Sequence, residues 1–361
     1  SPLATTAFFN AGINYERSGQ TSKSIVAHQS VLRSQDPKAG PLKLKSRRLL
    51  AKLYQDSGQL EEAAQLFEAS AKESEGDPLV SALYYNAAIL YEATGQTNKA
   101  LSSYESYYKK SSGQEKAEAL FAMANLAKRE NRKAEAVKLY KEFLSMGVSL
   151  GEKNVEATFY IAGYYKENGQ DAEAQQYRGK TLVYQSRISP RQKGPGAKYA
   201  AKVLFDDALY LLALLKSTKI PAAPEQQKAA VEKKINILNR LNDELTKIIK
   251  YDSPEEIISS LSVLGQANVH MYDSILTAPT PEGLSAEQQG QYKAAIQKIA
   301  DPFMAKGRDA LKACLEKAAD LDTYTSYYAQ ARKLMNRLDP ANYYEGSEVG
   351  MSFRMGQWIG N

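Results

Sequence analysis

Residues that could do acid–base, nucleophilic or metal chemistry are few in this sequence, and none is spaced for it. There are two histidines, His28 and His270. His270 precedes Asp273 by three residues, which would set both on one side of a helix, but no third ligand follows and a metal centre is not expected. Asp206-Asp207 begins the kind of aspartate-rich helix that holds a diphosphate through magnesium. That chemistry needs a third acid three residues on, where Tyr210 stands, and no second acidic cluster exists. Glu105-Ser106 is the pair a glycan-cleaving acid would use, yet it falls inside a regular helical repeat with no lysozyme-like segment after it. Cys314 is the single cysteine, so neither an internal disulfide nor a cysteine metal site can form. No phosphate-binding loop, dinucleotide glycine set, nucleophile elbow or HExxH occurs. The expectation is a chain with no catalytic residue, no cofactor and no metal.

The composition suits a folded interaction module. The 361 residues are 43% hydrophobic and 24% charged, enough to bury a core, though one closed core of that size would be unusual. The net charge of +6 comes from 47 basic and 41 acidic residues interspersed along the chain. The densest cationic run, Arg187 to Lys198, lies in a Pro/Gly-rich connection and reads as a solvated loop, so nucleic acid is not an expected partner. The longest apolar run, Ala208 to Leu215, is far too short to cross a bilayer. The chain opens Ser1-Pro2-Leu3 with no secretion signal in view.

What the sequence does show is a repeat. Gly-Gln recurs at Gly19-Gln20, Gly58-Gln59, Gly95-Gln96 and Gly169-Gln170, with Asn131 standing in for the glycine between the last two, at steps of 39, 37, 36 and 38 residues. Glycine and asparagine tolerate the left-handed conformation that ends a helix. Four residues before the turn stand Tyr15, Tyr54, Tyr91 and Tyr165, with Ala127 breaking the series. Small residues lie three before those (Gly12, Ala51, Ala88, Ala124, Ala162) and five after the turn (Ser24, Ala63, Ala100, Ala136, Ala174). A bulky residue follows four later at His28, Phe67, Tyr104 and Tyr140, with Arg178 in that slot in the fifth repeat. Pro37 and Pro78 close the first two repeats.

This pattern resembles the tetratricopeptide repeat (TPR) family over about the first 190 residues. The resemblance implies an all-α, right-handed superhelix of about five helix-turn-helix repeats whose first helices line a groove for protein partners. The residues the family would turn into that groove are Phe9, Arg48, Tyr85, Phe121 and Phe159, then Ile13, Lys52, Ile89, Asn125 and Gly163 one turn on. With Lys45 they make an aromatic and aliphatic stripe bearing one basic spot at Lys45, Arg48 and Lys52. Two readings stand. The stripe receives an apolar segment of a partner, or the rings pack on each other or on the protein's own C-terminal part. A second copy is a further candidate to cover them. The carboxylate clamp of chaperone-binding members needs paired cations and Asn in register, and only the second repeat supplies cations.

Past Pro190 the rhythm stops and the helices lengthen, giving expected divisions at 1–188, 189–340 and 341–361. Helices are expected from Lys198 to Ser217 and from Glu225 to Tyr251, the latter with Ile235, Leu238, Leu241, Leu245 and Ile248 on one side. A third starts at a Ser253 cap and runs to about Thr277, then come a helix capped by Ser285 and running into Ile299, one from Pro302 to Ala319 and one from Thr323 to Leu338. The tail carries Phe353 and Trp358. The succession Met271-Tyr272, Ala278-Pro279, Pro281, Tyr292, Ala300-Asp301-Pro302, Lys306, Ala310, Tyr324, Ala331, Leu334, Leu338-Asp339-Pro340 and Tyr343 is similar to envelope TPR proteins of gliding and predatory deltaproteobacteria. That implies a scaffold in a periplasmic or outer-membrane-associated motility complex. The alternatives are a cytoplasmic adaptor regulating a GTPase or other enzyme, and a cell-wall or carbohydrate-binding module using the aromatic stripe.

Overall fold

The computed structural model describes residues 2–344 apart from 75, 190–192 and 282. Among the described residues every regular element is helical, and the chain divides into two units, Ser1–Gln175 and Gln176–Asn361.

The first unit is a run of helical hairpins: α1 (Pro2–Arg17) with α2 (Thr21–Leu32), α3 (Gly40–Asp56) with α4 (Leu60–Glu73), α5 (Val80–Ala93) with α6 (Thr97–Lys110), and α7 (Gly113–Arg129) with α8 (Lys133–Ser145). The fifth pairs α9 (Glu152–Glu167) with the start of α10 (Asp171–Ile188). Each hairpin reverses through the same pair of backbone bonds. Gln59 N–H donates to the Tyr54 carbonyl at 2.8 Å and Gly58 N–H to Gln55 at 3.1 Å, and equivalent bonds join Gln20 to Tyr15, Gln96 to Tyr91, Arg132 to Ala127 and Gln170 to Tyr165. This satisfies carbonyls a helix end leaves orphaned, and it requires positive φ at the turn residue. Asn131 supplies it (φ 57°), as Gly58 does (φ 76°).

The small residues sit where the two helices of a hairpin touch. Ala51 and Ala63, Ala88 and Ala100, and Ala124 and Ala136 are fully buried. In the first hairpin the approach is closer still. Ser24 Oγ donates to the Gly12 carbonyl at 2.8 Å, and a Cβ on Gly12 would stand 2.6 Å from the His28 ring. His28 thus fills the slot held by Phe67, Tyr104 and Tyr140 elsewhere, all four buried.

In the second unit the rest of α10 is followed by α11 (Ala197–Ser217), α12 (Pro224–Ile249), α13 (Pro254–Leu276), α14 (Ala286–Asp320) and α15 (Ser326–Leu338). Leu238, Leu241, Leu245 and Ile248 form the expected buried stripe of α12 against Leu215, Val263, Ala267 and Met271, while Ile235 packs at its edge half-buried. Arg178 is half-buried and bridges to α11, reaching Asp206 at 3.1 Å, Asp207 at 2.5 Å and the Val203 carbonyl at 2.8 Å.

Two expectations are corrected here. The helices foreseen at Ser285–Ile299 and Pro302–Ala319 are one helix, which passes through Pro302 without ending. A proline removes one backbone bond, and burial of Ala300, Gly307, Ala310 and Leu311 along the helix offsets that loss. Ser253 does not cap α13 with its side chain; its hydroxyl bonds the buried Glu256 carboxylate, whereas the cap expected at Ser285 is present as a capping box with Gln288. α13 and α14 cross with almost no side chain between them. A Cβ on Gly265 would lie 2.5 Å from Leu311 Cγ, and one on Gly307 would lie 2.8 Å from Val269 Cγ2.

Candidate functional site

The first helices of the hairpins share a face, and between α5 and α7 it hollows into a cavity of about 360 Å³. Tyr85 and Ile89 from α5 and Phe121, Ala122 and Asn125 from α7 give it an apolar floor with one amide. Its rim is charged: Glu92 from α5, Glu118 and Arg129 from α7, and Lys153 from α9, with Tyr104 reaching in from α6. Glu92 and Arg129 form an ion pair, and the Tyr104 hydroxyl donates to Glu92 Oε2 at 2.7 Å. Burial, the hydrogen bond to Glu92 and its negative charge push the Tyr104 phenol far up, so it stays a donor. Burial and the nearby Glu118 and Glu92 also raise Tyr85, and burial with Glu115 and Glu118 pushes Tyr107 up to about 12. Lys153 Nζ stands 5.7 Å from the Phe121 ring centroid.

Four of the eleven candidate groove residues line this cavity: Tyr85, Ile89, Phe121 and Asn125. The stripe is less open than an uncovered patch would be. Phe121 is only 7% exposed, because Phe143 and Tyr140 of α8 pack on it with centroids 5.4 and 5.7 Å away. Tyr85 is half-buried against Tyr107 at 5.1 Å, and Phe9 meets the edge of His28 at 5.8 Å. Ile89, 39% exposed, is the apolar side chain most open to a ligand here. Asn125 accepts the Tyr140 hydroxyl through Oδ1. Phe159 and Ile13 are half-buried away from the cavity.

The basic spot divides. Lys45 and Lys52 are exposed, whereas Arg48 binds Asp77 Oδ2 at 2.5 Å and Ser74 Oγ at 2.7 Å. Asp77, held below its usual range by Arg48 and the Leu79 amide, ties α3 to the turn before α5. Arg48 therefore spends its charge inside the fold. The rim residues Glu92, Arg129, Glu118 and Lys153 were absent from the sequence expectation, and Tyr104 was expected only as a packing residue of its repeat. Extending the α5 and α7 series by one more turn, from Ile89 to Glu92 and from Asn125 to Arg129, finds two of them.

The residues first considered for chemistry serve the fold. His28 bonds Ser46 Oγ at 3.2 Å and is held below the usual histidine range by burial. His270 Nε2 lies 3.2 Å from Lys234 Nζ, and that lysine, 1% exposed, donates to the carbonyls of Leu215 and Thr218 where α11 ends. Asp273 pairs with Arg337 at 3.1 Å rather than with His270. Asp206 and Asp207 are both engaged by Arg178. Ser106 Oγ donates to the Ser102 carbonyl of its own helix, and Glu105 is exposed. Cys314 is buried against the Ile258 carbonyl, its thiol pushed up to about 12. Among the described residues no three His, Cys, Asp or Glu side chains are grouped to hold a metal ion, and no helix is long and apolar enough to cross a membrane. The tail from residue 345, with Phe353 and Trp358, lies outside the described residues.

Residues 46–79, which span most of α3 and all of α4, match the tetratricopeptide repeat family. Among curated proteins none matches the chain in sequence. Similar solved structures include the MamA protein, 18% identical over 53% of this chain and 96% of that one at a TM-score of 0.39. A tetratricopeptide repeat protein from Parabacteroides merdae is 15% identical over 84% of this chain and 99% of that one, at 0.39. The C-terminal part of a TPR repeat-containing protein from Cytophaga hutchinsonii is 14% identical over 81% and 95%, at 0.38.

Proposed function

We propose that the hairpins of the first unit, one of which matches the tetratricopeptide repeat family over residues 46–79, are repeats of that kind and make the chain a non-catalytic scaffold holding a segment of a protein partner on the first-helix face between α5 and α7. The observation that carries this reading is the cavity itself: an apolar floor at Tyr85, Ile89 and Phe121 inside a rim of fixed charge. Such a site takes one apolar or aromatic anchor and orients the flanking backbone through polar groups. Arg129 is neutralised by Glu92, while Lys153 meets only the Phe121 ring among the described contacts, so an acidic group beside the anchor suits the rim.

Ile89→Asp tests this, because the side chain is exposed enough for the fold to survive while the floor gains a charge. Capture of the partner should fall by about 2 kcal/mol, a loss of roughly thirtyfold. A variant with native circular dichroism and undiminished capture would reject the cavity. The setting we propose is a bacterial envelope complex, periplasmic or attached to the outer membrane, supported by the succession from Met271 to Tyr343. Fractionation of the native host with antibodies to this chain tests it, and a purely cytosolic pool would favour the adaptor role instead.

A further inference from the structure

Among the described residues Lys234 is the one lysine that the fold buries. It stands on α12 and reaches the end of α11, donating to the Leu215 carbonyl at 2.7 Å and the Thr218 carbonyl at 2.9 Å. Its third partner is His270 Nε2 of α13, at 3.2 Å. An ammonium has three N–H donors and no lone pair, so all three are matched, as a charge taken out of water requires. The same count fixes the ring: Nε2 can accept from Lys234 only while it carries no proton.

Of the three acceptors, the imidazole alone changes charge between about pH 5 and 8. His270 is half-buried, so water can bring it a proton. Protonated Nε2 would face the Lys234 ammonium, and Lys216 of α11 adds to the repulsion. Asp273, on the same helix and paired with Arg337 of α15 at 3.1 Å, attracts the ring's charge, as does the Leu215 carbonyl. Burial and the two lysines outweigh that attraction and hold His270 below the usual histidine range. The protonated ring also has somewhere to turn. Ser274 Oγ lies 3.2 Å from Nε2 and gives its own proton to the His270 carbonyl at 2.7 Å, which leaves it able to accept.

We propose that Lys234 and His270 form an acid-released latch on the connection between α11 and α12. With the ring neutral, Lys234 ties down the end of α11; protonation of His270 drives the ammonium off the Leu215 and Thr218 carbonyls and frees the connection. The latch is shut above pH 6.5 and opens as pH falls from there through the lowered folded value. The far end of the connection has a tie that does not titrate, since the Gln227 amide donates to the Ala222 carbonyl at 3.4 Å and the Pro279 carbonyl at 2.6 Å. Opening is therefore local to the Leu215–Thr218 end, and it is independent of the cavity between α5 and α7.

The experiment is hydrogen–deuterium exchange of the full chain from about pH 7.5 down to about pH 5, with rates corrected for the intrinsic effect of pH. Peptides covering residues 211–223 should exchange about tenfold faster or more at the acid end, while those covering 238–248 hold their protection. His270→Gln, whose amide oxygen can accept from Lys234 at any pH, should abolish the change. In Lys234→Met the His270 titration followed by nuclear magnetic resonance should move up toward 6.5. Three results would each overturn the proposal: no acid-dependent change over residues 211–223, the same change in His270→Gln, or loss of protection over 238–248 at the same pH. The His270→Gln comparison decides the matter even if Lys234→Met does not fold.

Discussion

Replacing Gly265 with alanine tests the packing of the second unit where it is tightest. In an ordinary helix interior the change stabilises by about 1 kcal/mol, since alanine has the better helix propensity. Here the added Cβ would stand 2.5 and 2.6 Å from Leu311 Cγ and Cδ2 and 3.2 Å from the Gly307 carbonyl oxygen. Leu311 is fully buried, so it has no free space into which to turn, and α13 and α14 must part along their length. Overpacking of this kind costs about 1–3 kcal/mol, and parting the helices loosens the Val269–Gly307 contact as well. Gly290, in the exposed first part of α14, would bring a Cβ within 4 Å of nothing. Urea unfolding followed by far-ultraviolet circular dichroism should therefore show opposite signs: Gly290→Ala up by as much as about 1 kcal/mol, Gly265→Ala down by about 1–2. If Gly265→Ala also stabilises, the close crossing of α13 and α14 is wrong.

Tyr91→Ala should cost about 3–5 kcal/mol and Tyr54→Ala distinctly less, because Tyr91 is 1% exposed and Tyr54 half-buried; equal losses in denaturant would contradict the burial pattern. Both histidines are held below the ordinary 6.5, chiefly by burial. The unfolded chain then binds protons that the folded one refuses, so their contribution is full above pH 6.5 and is lost as pH falls from there toward the depressed folded values. Unfolding midpoints measured from about pH 7 down to 5 should fall, and His270→Asn should flatten the fall; an unchanged slope would refute a buried neutral ring beside Lys234. The Cys314 thiol, buried with its ionisation raised, should react with a disulfide reagent only as fast as the protein opens, and rapid labelling of the native state would refute its burial.

The turns of the first unit were legible because their chemistry is local. Only residues tolerant of positive φ can make the bonds seen at Gly58 and Asn131, and the small residues on either side follow from how closely two helices then approach. The second unit was legible helix by helix except at Pro302, where a local rule for ending helices lost to burial of Ala300 and Gly307 on α13. The site was half legible. A face is set by spacing, so Tyr85, Ile89, Phe121 and Asn125 came together as expected. Depth is set by what the next helix contributes, and nothing near Phe121 in sequence announces that Tyr140 and Phe143 cover it. Arg48 illustrates the same limit, since its partner Asp77 lies on the far side of α4 in the chain.

The most direct measurement of the central claim is photocrosslinking from one position on each side of the third and second hairpins in the native host. A benzophenone side chain replacing Ile89 looks into the cavity, while one replacing the exposed Gln65 on α4 looks away from it. A discrete protein partner crosslinked from position 89 and not from position 65, and lost on Lys153→Glu, is the result expected. The same partner crosslinked from position 65 and not from 89 would mean that the cavity between α5 and α7 is not where this scaffold holds its ligand.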